Sequence, residues 1–157
     1  MPRAPKDEID REQCRDAIQQ PRTPDERAVA AQGWALLSRR WTEGESGRPV
    51  TGYPVVWGFT GTDGMCRPLN FQGFVFAEGK FAGTVAPRPM HSRDDGSSTT
   101  ILENQQGRLS MEFARYTARD PLCCPSRIST VRYELRRTPA GPVLVATGAS
   151  SRREKNR

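Results

Sequence analysis

Tyr53, Val55, Trp57 and Phe59 fall on alternate positions, the period of a strand with one buried face. Residues 71–77 are apolar on both parities, Phe71 and Val75 on one and Phe74 and Phe76 on the other. That pattern predicts a central strand covered on both sides. Glu78-Gly79 predicts a tight turn into a strand over 81–85, making a hairpin that Pro87-Arg88-Pro89 ends. Leu109, Met111 and Phe113 alternate again, while Val131, Tyr133 and Leu135 face away from Arg132, Glu134 and Arg136. Shorter strands are expected over 99–103 and 143–145. Thr60-Gly61-Thr62-Asp63-Gly64 reads as turn chemistry, and 90–98 as a polar loop with Arg93-Asp94-Asp95-Gly96 at its tip.

Upstream the period changes. Thr23-Pro24-Asp25-Glu26 offers an N-cap threonine, a proline at the first helical position and a glutamate that closes a capping box. Ala30, Trp34, Leu37 and Trp41 follow at helical spacing, predicting a helix that ends in Arg39-Arg40. Residues 7–19 carry a thin apolar stripe of Ile9, Cys14, Ala17 and Ile18, compatible with a short helix or an extended arm. A helix before a run of strands, without βαβ alternation, argues for the α+β class. The expectation is an N-terminal helix packed on a mainly antiparallel β-sheet of about six strands, linked by disulfides. The domain division expected is an arm over 1–22, a single domain over 23–148 and a disordered basic tail over 149–157.

Composition adds little to that picture. Apolar residues are 35% of the 157, which with 14 glycines lies near the globular norm. No apolar run reaches the roughly 18 residues of a membrane helix. The net charge of +6 is confined to residues 121–157, which hold eight basic and two acidic side chains. Four of those basic residues lie in the last six positions, so the charge describes a tail and not a nucleic-acid face. No nucleic-acid partner is expected.

The four cysteines, Cys14, Cys66, Cys123 and Cys124, are the chemistry the sequence offers. Bridging neighbours is disfavoured, because adjacent Cα atoms lie about 3.8 Å apart, below the usual disulfide range. If 120–127 is extended, Cys123 and Cys124 leave on opposite sides. One then takes Cys66 and the other Cys14, with Cys66–Cys124 and Cys14–Cys123 the preferred order. A zinc site would need Cys-x-x-Cys spacing or more histidines than His91, so no metal and no cofactor are expected. A catalytic thiol would need a base, and His91 in its polar loop is the lone candidate. No catalytic residue is assigned.

Gly64-Met65-Cys66-Arg67-Pro68-Leu69, Phe71-Gln72, Phe74-Val75-Phe76, Gly79-Lys80-Phe81-Ala82-Gly83-Thr84, Ser92-Arg93-Asp94-Asp95-Gly96, Phe113-Ala114-Arg115-Tyr116 and Asp120-Pro121-Leu122-Cys123-Cys124-Pro125-Ser126-Arg127 form a series. Together these resemble the LppP/LprE family of bacterial lipoproteins and secreted proteins, over roughly residues 24–146. The resemblance implies an exported protein, periplasmic or extracellular, in a compartment where disulfides persist. It brings no catalytic residue. The first residues, Met1-Pro2-Arg3-Ala4-Pro5-Lys6, show neither a signal-peptide core nor a lipobox, which leaves a cytoplasmic location as the alternative. The function expected is a non-enzymatic envelope or secreted domain that binds a small ligand or a partner protein, with peripheral envelope association allowed. Arg67, Arg88 and Arg93 are its candidate anion contacts, since guanidinium forks suit carboxylate and phosphate. The alternative is a thiol-based redox enzyme or sensor using Cys123 and Cys124. Oligomeric state is left open.

Overall fold

The computed structural model describes residues 1–38, 52–96 and 99–154. Two antiparallel sheets face each other across the main core. The first has the order β1 (Ile18–Gln19), β2 (Ala35–Leu37), β3 (Val55–Phe59), β6 (Gln72–Ala77), β7 (Lys80–Thr84). The second runs β11 (Gly141–Arg153), β10 (Arg127–Thr138), β9 (Arg108–Arg115), β8 (Thr99–Gln105). A small ribbon pairs β4 (Gly61–Thr62) with β5 (Pro68–Leu69).

Side-chain parity decides what each sheet buries. Trp57, Phe59 and Val75 of the first sheet meet Leu109, Met111, Phe113 and Tyr133 of the second. Val56, Phe74 and Phe76 point the other way, into a smaller core closed by Val29, Trp34 and Leu36. Strand β6 is therefore buried at all six positions, as its two-sided apolar pattern predicts. Glu78 and Gly79 both adopt positive φ, 54° and 71°, the hairpin turn that matches strand twist. Gln106 and Gly107, at 52° and 79°, do the same between β8 and β9.

The helix is real but short. α1 covers Pro24–Ala31, capped by Thr23 with the full Glu26 capping box. It lies against β2 and β3. Glu26 is 4% exposed, its carboxylate accepting from Gln19 Nε2 and the Arg22 and Thr23 amides.

The expected continuation through Trp34 and Leu37 is corrected. Gly33 turns the chain with φ 91°, and residues 35–37 become β2. Trp34 and Leu36 go to the helix-side core, Ala35 and Leu37 to the inter-sheet core. A strand buried on both faces shows no polar alternation, so its residues mimic a helical stripe. Trp41, Arg39 and Arg40 lie outside the described residues.

The architecture is accordingly richer in β structure than a helix on one sheet, at 48% strand against 11% helix among the described residues. Residues 7–19 hold a 3-10 turn at Arg15–Ala17 and then β1 instead of a regular helix. The arm before it is fastened: Ala4 N donates to Gln32 O, Trp34 Nε1 to Pro2 O, and Glu8 N to Thr60 O. The last strand does not stop at Val145. It pairs with β10 as far as Arg153, opposite Arg127, so 149–153 of the expected disordered tail are strand.

Candidate functional site

Asp63 organises the β4–β5 turn. Its Oδ1 accepts from the Met65 and Arg67 amides, each at 2.9 Å, and its Oδ2 from Arg67 Nε at 2.6 Å. Partial burial works to raise the carboxyl pKa, but the two amides and the Arg67 guanidinium outweigh it and the net shift is downward. The turn holds Cys66 at φ 59°, and Cys66 closes a disulfide with Cys14, Cα atoms 5.3 Å apart.

A second centre forms where three distant stretches converge. α2 (Ser92–Asp95) begins at His91, whose Nδ1 accepts from Arg93 N at 3.2 Å. Asp94 O accepts from Tyr116 N at 2.8 Å, and Asp95 pairs with Arg115. Arg93 lays its guanidinium 5.7 Å from the Tyr116 ring centre and donates from Nη2 to Asp120 O at 3.0 Å. The Tyr116 hydroxyl donates to Leu122 O at 3.2 Å. Asp120 Oδ2 then clasps the loop at both ends, accepting from Thr117 N at 2.7 Å and Ser126 N at 3.0 Å. Those bonds, led by Thr117, pull its carboxyl pKa down to about 2.

Inside this clasp Cys124 N donates to Pro121 O at 3.1 Å, closing a turn, and Cys123 is joined to Cys124. Both preferred pairings, Cys66–Cys124 and Cys14–Cys123, are corrected: the bonds are Cys14–Cys66 and Cys123–Cys124. The premise that failed was an extended segment. A turn at 121–124 brings adjacent side chains to the same side, where an extended chain would separate them.

The three candidate arginines are not gathered into one site. Arg67 is held by Asp63, and Arg93 by Asp120 and Tyr116. Arg88 is exposed on the segment leaving β7 and makes no hydrogen bond or ion pair among the described residues. His91 engages α2 and not a cysteine. Sequence reasoning missed Asp120, Tyr116 and Ser92. Ser92 Oγ and Arg93 Nη1 are buried without hydrogen-bond partners among the described residues, adjacent orphans in one helical turn. Their only sequence signal was membership of the quoted motif words. Leu122 (51% exposed) and Cys123 form the outer surface of the centre.

The family model for the LppP/LprE lipoproteins matches residues 53–138. The chain belongs to the LppP/LprE lipoprotein family. The match is narrower than the 24–146 expected, and it contains both centres except Cys14. The Cys14–Cys66 bond thus ties a residue outside the LppP/LprE match to one inside it. No curated protein and no solved structure gives a significant match. Lipoprotein membership suggests an exported or envelope location, and no described helix is long and apolar enough to cross a membrane.

Proposed function

We propose that this LppP/LprE chain is an exported, non-enzymatic envelope domain that binds a partner protein through the face built by α2, Tyr116 and residues 120–127. The observation that carries the reading is the convergence of three motif stretches on one rigid face, crowned by exposed Leu122. Ser92 Oγ and Arg93 Nη1 are orphaned beneath that face, buried where a docked protein does not reach them, so the contact surface is Leu122 with Cys123. A small anionic ligand is the narrower variant, with Arg88 the candidate contact, since Arg67 and Arg93 have internal partners.

The test is site-specific photocrosslinking in the native host, with the probe at Leu122 or, as an exposed control on β11, at Val143. An envelope-localised adduct at Leu122 that is absent at Val143 supports the reading. Equal adducts at both positions, or a cytosolic protein, overturn it.

A further inference from the structure

We propose that Cys123–Cys124 is a thiol–disulfide exchange site whose reaction partner is a dithiol. This goes beyond the binding role. The two disulfides of the chain differ in what they can contribute. Cys14–Cys66 joins residues 52 apart, so it removes a large loop-closure entropy from the unfolded chain. Cys123–Cys124 joins residues one apart, and a bond between neighbours leaves almost nothing in the unfolded chain to constrain. Stability therefore gives no account of it.

Access separates them as well. Cys14 is 2% exposed, whereas Cys123 is exposed and Cys124 half-buried. Exposed disulfides are the labile ones. Attack falls on Cys123 Sγ, carried by the more exposed of the two residues, and Cys124 Sγ is the leaving group. With Arg115 held by Asp95, residues 115–127 still carry Arg119 and Arg127 against Asp120, a net positive segment that favours a departing thiolate.

The electrons balance with the dithiol as reductant. One partner thiolate attacks Cys123 Sγ, the Cys123–Cys124 bond breaks and a mixed disulfide forms. The partner's second thiol, as thiolate, attacks its own sulfur in that mixed disulfide and releases the Cys123 thiolate. The chain gains two electrons and, after protonation, two thiols; the partner becomes a disulfide. The Asp120 clasp on Thr117 and Ser126, and the Arg93 bond to Asp120 O, lie outside the two sulfurs. The ends of the loop stay in place while the turn at 121–124 relaxes, so the thiols remain neighbours and the step is reversible.

The test is graded reduction of the folded, full-length wild-type protein with dithiothreitol, followed by alkylation and peptide mapping. Cys123 and Cys124 are expected to be alkylated at dithiol concentrations roughly tenfold or more below those that open Cys14–Cys66. The Cys124→Ser variant, with Cys123 as a single exposed thiol, is expected to react rapidly with an aromatic disulfide reagent without denaturant. Cys123→Ser, which leaves the half-buried thiol, reacts more slowly. Opening of both bonds together, or of Cys14–Cys66 first, overturns the proposal. So does a map that links Cys123 or Cys124 to Cys14 or Cys66. If the single-serine variants do not fold, the wild-type titration decides alone. None of these outcomes bears on crosslinking from Leu122, so this proposal and the binding role fail separately.

Discussion

The hydroxyl of Tyr133, on β10, donates to the carbonyl of Val85 at 2.5 Å, a hydrogen bond from the second sheet to the residue that follows β7 of the first. Tyr133 is 3% exposed, so the bond is made in the core. Replacing Tyr133 with Phe keeps the ring and leaves a carbonyl without its partner, which costs about 1–3 kcal/mol. Urea unfolding of the two proteins measures it. An unchanged midpoint would mean that water or another donor satisfies Val85.

The same residue sets an alkaline limit. Burial raises the Tyr133 phenol pKa above its ordinary 10.0, and the nearby Arg115 charge offsets only part of that. A raised pKa favours the neutral form in the folded state. The associated stability is full below pH 10 and is lost as pH rises beyond it. The Tyr133 phenolate signal should therefore emerge together with loss of near-ultraviolet circular dichroism. In Tyr133→Phe this alkaline component disappears.

Cys14 and Cys66 carry the main covalent constraint. Their separation of 52 residues corresponds to about 4 kcal/mol on the chain-entropy model. The double variant Cys14→Ala/Cys66→Ala should lose stability of that order, and Cys123→Ala/Cys124→Ala far less. Equal losses in the two double variants would show that the long loop is not the source of the effect.

Gly73 sits where β6 passes beneath Trp57. A Cβ there would stand 2.9 Å from both Trp57 Cζ3 and Val85 Cγ2. The backbone is not the obstacle; the indole and the valine are. Gly73→Ala should destabilise by about 1–3 kcal/mol through overpacking. A companion Val85→Ala substitution should recover part of the loss if the clash is the cause.

What could be read from the chain follows from how each element is held. Strands β3, β6 and β9 are held by burial, and their parity was visible in Trp57, Phe74 and Leu109. The capping box at Thr23 is local and was equally visible. β2 was hidden because Trp34, Ala35, Leu36 and Leu37 are buried on both faces, and their spacing fits a helix as well. The far half of β11 was hidden for the opposite reason. Ala149, Ser150 and Ser151 are exposed, and that stretch is held by backbone pairing to β10, which leaves no hydrophobic signature. The disulfide pairing depended on whether 121–124 turns or extends. The prolines at 121 and 125 allow either. The candidate site shared this difficulty, since the contacts of Arg93 with Tyr116 and Asp120 join residues far apart in sequence.

Asp120 gives the loop an acid response. Its carboxylate, held by the Thr117 and Ser126 amides, has its pKa lowered from 3.8 to about 2. A depressed carboxyl pKa contributes stability that is present above the unfolded value and lost as pH falls through the folded one. The clasp is therefore complete above about pH 4 and released as pH falls towards 2. Amide exchange at Thr117 and Ser126 should accelerate across that window while β6, buried at every position, stays protected. Asp120→Ala should show the fast exchange at neutral pH, and alkylation of reduced Cys123 and Cys124 should speed up with it. If exchange at Thr117 and Ser126 follows the global unfolding of the sheets instead, the clasp is not an independent local element. The rigidity assigned to the Leu122 face would then have to come from Arg93 and Tyr116 alone.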